Sequence, residues 1–188
     1  VSLALFIDIG STTTDLALIC DGEPKIMGFS DATRMQTNEL IYTGVVRTPL
    51  MALAQKIAFQ GLSINLAAEH FATTADVYSL TGDLPMSEYS AETADGADKS
   101  LEACARRLAR MIGRDADDAP LADWQALAQA FKRLQLQQLQ LAIEQHLASL
   151  SDKSQCVLIG AGVGDFLLAS LAQQLGMAYS SVNEYMPL

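Results

Sequence analysis

The chain has 188 residues, half of them hydrophobic and 18% charged, which suits one folded domain or two small lobes and excludes a disordered segment. A formal net charge of −10 argues against a surface for nucleic acid or an anionic membrane. No apolar run approaches the ~20 residues that span a bilayer, and the scattered Cys20, Cys104 and Cys156 suit reduced thiols in a cytoplasmic protein.

Residues 3–8 and 14–20 are apolar and β-prone, and "PKIMGFS" (24–30) after the turn Asp21-Gly22 reads as a third strand, making a β-meander. Residues 31–42 look helical, with Ser30 or Asp31 as the cap. Proline in "VVRTPL" interrupts any helix through Thr48. "KIAFQGLSINL" alternates about Gly61 as a second hairpin, and "AAEHFATTADVYSL" (67–80) returns to helical spacing. Residues 82–98 form a polar, acidic loop, followed by a helix over 99–113 and the acidic turn "RDADDAP". A long helix is expected over 121–149, its glutamines interleaved with apolar residues at helical spacing. "QCVLIG" reads as a buried strand, "AGVG" as a turn, "DFLLASLAQQLG" as a helix ending at Gly176, and "AYSSV" as a last short strand. No internal repeat is visible.

The chemistry-bearing stretch is "DIGSTTTD". Gly10 lets a backbone approach an anion, and Ser11, Thr12, Thr13 and Thr14 add donors without charge, so the hairpin tip suits a phosphate chain. Asp8 at the end of the first strand could hold Mg²⁺ through water, and Asp15 is a second candidate for metal or for activating a nucleophilic water. The alternative is a hairpin whose threonines merely favour strand. "GAGVGD" supplies Gly160, Gly162 and Gly164; a dinucleotide fingerprint would need glycine at 165, where the chain has aspartate. His70 and His146 have no ligand-like neighbours, so zinc is not expected.

The hydroxyl hairpin and the later glycine turn together resemble the actin, sugar kinase and Hsp70 superfamily (the ASKHA fold). The resemblance implies an α/β, ribonuclease H-like lobe with a mixed sheet. Its nucleotide or substrate would contact Gly160, Gly162 and Gly164. That fold carries two phosphate loops, and no second D-x-G-hydroxyl loop lies between residues 15 and 160. The order of motifs therefore makes this loop the second one, although it also resembles first loops. An N-terminal lobe is then expected in upstream sequence, which fits a chain opening on Val1 in β-like sequence. Residues 1–42 and 116–188 would form the phosphate-binding lobe, with 43–115 an inserted peripheral subdomain. Alone, this chain would bind phosphate weakly and not turn over.

"ELIYTGVVRTPL", "FATTADVYSLTGDL", "TADG" and "RLARMIGRD", followed by "GAGVG", look like the hydantoinase/oxoprolinase-related proteins linked to tetrahydromethanopterin one-carbon transfer. The resemblance implies methanofuran biosynthesis, in which an aminomethylfuran diphosphate is joined to a tyramine-derived phenol with loss of diphosphate. A phosphorylated small molecule would be the substrate and Mg²⁺ the cofactor. ATP stays open as ligand for a kinase or amide hydrolase, as does a non-catalytic regulatory role. Arg47 is the leading cation for the phosphates, against a salt-bridge role. Asp76 and Asp95 are candidates to bind metal or act as the base for the phenol, against helix capping and a solvated loop acid. Glu102, Arg106, Arg110 and Arg114 recur every four residues, which could make a second phosphate-binding stripe, but the acidic turn beside them favours an ion-pair ladder.

Overall fold

The computed structural model describes residues 2–148, 150, 152–153 and 155–184. Its elements in chain order are β1 (Leu3–Ile9), β2 (Thr14–Cys20), β3 (Glu23–Lys25), α1 (Asp31–Gln36), β4 (Leu40–Ile41), β5 (Lys56–Phe59) and β6 (Leu62–Asn65). They continue with α2 (Thr74–Thr81), α3 (Leu101–Met111), α4 (Leu121–Leu147), β7 (Val157–Ala161), α5 (Phe166–Leu175) and β8 (Ala178–Ser181). Two compact units result, Val1–Gly44 with Leu136–Leu188, and Val45–Gln135.

In the first unit the strands run in the order β3-β2-β1-β7-β8, with β4 added to β2. The meander is antiparallel, and β7 and β8 are parallel to β1, so the sheet is mixed, as the ASKHA-like fold class requires. The period of two along β1 fully buries Leu5, Ile7 and Ile9 and leaves Phe6 and Asp8 half-buried. Each such aliphatic burial contributes roughly 1.5–3 kcal/mol. Leu167, Leu168 and Leu171 of α5 and Leu139 and Ile143 of α4 complete the apolar interior of this unit. α5 stops at Gly176, whose φ of 65° forms a left-handed cap.

Three local expectations need correction. The third strand stops at Lys25, because the Met27 and Gly28 N–H groups donate to the Glu39 carboxylate instead of continuing the ladder. The helix from residue 31 ends at Gln36, not 42: Asn38 turns left-handed at φ 57°, and β4 follows. Residues 67–73 are not helical; α2 begins only after Thr73, whose N–H donates to Asp76 Oδ2 at 3.0 Å. Residue 149, the expected end of α4, lies outside the described residues.

In the second unit, β5 and β6 form the hairpin about Gly61, with Gln60 and Gly61 both at positive φ (49° and 78°), the pattern of a type I′ turn. Phe59 stacks on Trp124 at 5.0 Å, and the Trp124 indole donates to the carbonyls of Ala116 and Ala119. Those contacts hold residues 116–135 with this unit, whereas the sequence reading grouped them with the phosphate lobe. No described helix is long and apolar enough to cross a membrane.

Candidate functional site

β1 and β2 pair down to Ile9 and Thr14, leaving residues 10–13 as the loop. The Gly10 N–H donates to the Thr13 carbonyl at 2.9 Å and tightens the turn. Ser11 Oγ and Thr12 Oγ1 lie 3.4 Å apart. Thr14 departs from the expected role: its side chain is fully buried and donates to the Thr43 carbonyl at 2.6 Å. The donors at the tip are therefore Ser11, Thr12, Thr13 and the loop backbone.

Sequence reasoning missed Gly44. A Cβ there would fall 2.5 Å from the Thr12 nitrogen and 2.7 Å from the Gly10 carbonyl oxygen, so only glycine lets this segment back the loop. The signal was the isolated glycine of "YTGV", a mark of close backbone approach. Glu39 was also missed. It is 1% exposed and accepts from Met27, Gly28 and Thr37. Burial pushes its carboxyl up, but the backbone and hydroxyl donors outweigh that and hold it below the usual range.

Parallel pairing of β1 with β7 sets Asp8 against Ala161 and brings the glycine turn beside the hydroxyl loop. The Gly164 N–H donates to the Ile9 carbonyl at 2.8 Å. Gly162, exposed at φ 83°, lies so near that a Cβ would collide with Asp8 Oδ1 and the Ile9 carbonyl. Gly160 serves a different purpose: the space a Cβ would take is filled by the Asp165 carboxylate, which accepts from Tyr179 and Ser181. The expected contact of Gly160 with a ligand thus gives way to a buried lock between β7 and β8.

Asp8 and Asp15 face each other across the hairpin. Asp15 pairs with Arg34 at 2.7 Å, which compromises its candidacy as a metal ligand or base. Asp8 makes no hydrogen bond or ion pair among the described residues. Burial raises its carboxyl above the ordinary range, and the Asp15 charge opposite adds to the rise. A carboxyl whose folded pKa is raised stabilises the fold below its unfolded pKa and loses that contribution as pH rises through the folded one. Asp8→Asn is accordingly expected to melt at or above the parent temperature at pH 7, with the difference closing below about pH 4, near the unperturbed Asp value. Thermal melts across that range check this; a lower melting temperature at pH 7 would contradict it.

The described residues contain no cluster of three or more His, Cys, Asp or Glu able to hold a metal. An unpartnered Asp8 beside hydroxyl donors does fit Mg²⁺, which commonly takes one or two carboxylates and fills its shell with water and phosphate oxygens.

The remaining candidates lie in the second unit. Asp76 is 1% exposed and bound to Arg107, Tyr89 and the Thr73 N–H, so it is a structural anchor rather than a base. Asp95 is more open but pairs with Arg107 at 3.0 Å. Its carboxyl is pushed up by burial and brought below the usual range by the Ala97 N–H and Arg107. Arg47 is exposed and makes no ion pair among the described residues. In the expected ladder, Arg110 reaches Asp115 at 3.2 Å, while Arg114 sits over the Phe59 ring at 5.2 Å.

Residues 1–187 match the Hydantoinase/oxoprolinase family. Over 111 residues the chain is 40% identical to the (4-{4-[2-(gamma-L-glutamylamino)ethyl]phenoxymethyl}furan-2-yl)methanamine synthase of Methanocaldococcus jannaschii, covering 59% of this chain and 33% of that protein. It is 34% identical over 111 residues to the synthase of the same name from Methanococcus vannielii, covering 59% and 50%. The match thus spans half or less of the length of these relatives.

Proposed function

Because the chain belongs to the hydantoinase/oxoprolinase family, we propose that it works in a methanofuran-pathway synthase linked to one-carbon metabolism, gripping a diphosphate leaving group at the hydroxyl loop. The observation that carries this reading is the buried-edge Asp8, without a protein partner, beside the Ser11–Thr13 tip and under Gly162. In the reaction, a phenol oxygen bonds to the furan methylene carbon, the carbon–oxygen bond to diphosphate breaks, and the phenol loses its proton. The Ser11, Thr12 and Thr13 donors and the loop N–H groups stabilise charge where it develops on the leaving oxygens. Asp8 would hold Mg²⁺, which when bound supplies Lewis-acid neutralisation of those oxygens. Arg34 neutralises Asp15 and keeps a second repulsive charge from the phosphates. Free thiols at Cys20, Cys104 and Cys156 suit a cytoplasmic setting.

The test is diphosphate release by the full-length protein, followed by phosphorus NMR with the furan diphosphate and phenol. Asp8→Asn is expected to lower the rate at least tenfold, about 1.4 kcal/mol in the barrier, with folding retained. Thr12→Val removes one donor and weakens substrate binding by a smaller factor. Unchanged rate and Mg²⁺ dependence in Asp8→Asn would remove the reading. Turnover of Mg-ATP in place of the furan diphosphate would redirect it to a kinase or hydrolase.

A further inference from the structure

A cavity of about 460 Å³ in the Val45–Gln135 unit gathers Arg106, Arg107 and Arg110 of α3 with Asp95, Ala94 and Phe71. That volume lies within the ~300–1,000 Å³ of small-molecule sites. Three guanidinium groups in one cavity stand out in a chain of net charge −10.

The three are not equivalent. Arg107 is 2% exposed and saturated by Asp76, Asp95 and the Asp98 carbonyl, so it is a fixed wall. Arg110 holds Asp115 in a pair whose side chains are 58% and 69% exposed, a contact of the kind worth only ~0–1 kcal/mol and easily exchanged for a ligand. Arg106 makes no ion pair among the described residues. Positions 106 and 110 are one helical turn apart, so both lie on one face of α3. Asp95 uses Oδ1 for Arg107 and the Ala97 N–H, and its carboxylate is 35% exposed. Phe71 presents a ring that is 37% exposed.

We infer that this cavity recognises a zwitterionic amino-acid head carried on an aromatic ring. The carboxylate lies between Arg106 and Arg110, the ammonium on Asp95 and the ring against Phe71. Paired guanidiniums suit a carboxylate's planar oxygens, and Asp95 repels a bare phosphate while attracting an amine. The aryl amino acid chosen as probe, 4-[2-(γ-L-glutamylamino)ethyl]phenol, rests on the reaction proposed above; the preference for the head does not.

Calorimetric titration of the chain tests this with four probes: that phenol, its α-carboxamide, tyramine and inorganic phosphate. The zwitterionic phenol is expected to bind at least tenfold more tightly than the other three. Arg106→Ala and Arg110→Ala should each weaken it at least tenfold with unchanged melting, while Asp115→Asn should not weaken it. Equal affinity for the phenol and tyramine, absence of binding, or unchanged binding in both arginine variants overturns the inference. Binding that persists in Asp8→Asn while diphosphate release is unaffected by that change would remove the hairpin reading and leave this pocket standing.

Discussion

Asp76→Ala is expected to cost the Val45–Gln135 unit about 3–5 kcal/mol, the usual penalty for removing one partner of a buried ion pair. Arg107 sends Nε and Nη2 to Asp76 Oδ1 at 2.8 and 2.7 Å, and both side chains are 2% exposed or less. Without Asp76 the guanidinium keeps Asp95, itself 35% exposed, as its one carboxylate, with the uncharged Asp98 carbonyl and Cys104 thiol, and cannot recover water. The Tyr89 hydroxyl and the Thr73 N–H lose their acceptor as well. Asp76→Asn should recover little, since the missing quantity is charge. Replacing both partners, as in Asp76→Ala with Arg107→Met, should cost less than the sum of the single changes, because no charge is left stranded. Urea unfolding measures all three, and a loss below about 1 kcal/mol for Asp76→Ala would show that the pair does not hold this unit.

Gly162→Ala is the second large effect. At φ 83° a residue with a Cβ costs about 1–2 kcal/mol. The added methyl would also lie well under 3.0 Å from Asp8 Oδ1 and the Ile9 carbonyl; the Asp8 side chain can turn away, but the Ile9 carbonyl is backbone of the central strand and cannot yield cheaply. Overpacking of that kind adds about 1–3 kcal/mol. The Gly164-to-Ile9 hydrogen bond ties the same turn to β1, so relief by moving the turn would break it. We expect lower stability together with weaker diphosphate binding, read by melting and by calorimetry. Gly176→Ala makes the comparison: its φ of 65° is also left-handed, but nothing lies within 4 Å of the added carbon. If both glycine changes cost the same, the contact with Asp8 and Ile9 is not a constraint.

Local chemistry determined much of this chain without help from tertiary contacts. The alternation of Leu5, Ile7 and Ile9 marks a half-buried strand, Gly61 a hairpin, Gly176 a helix end, and the apolar spacing through Trp124, Leu127 and Phe131 a long helix. These signals survive because each depends on residues a few positions apart. The tip of the hydroxyl loop was legible for the same reason. Only the tertiary structure decided which parts meet. The pairing of β1 with β7 joins residues more than 150 positions apart and brings Gly162 to Asp8; no local spacing carries that distance. Glu39 looked like one more helical residue until its carboxylate captured the Met27 and Gly28 N–H groups; that capture ended the strand, while the left-handed turn at Asn38 ended the helix. Thr14 and Asp15 kept their places in the motif but lost their solvent-facing roles to Thr43 and Arg34. Hydroxyls, carboxylates and glycines are versatile, and whether one meets a ligand or a neighbouring segment is settled by the partner that burial puts beside it.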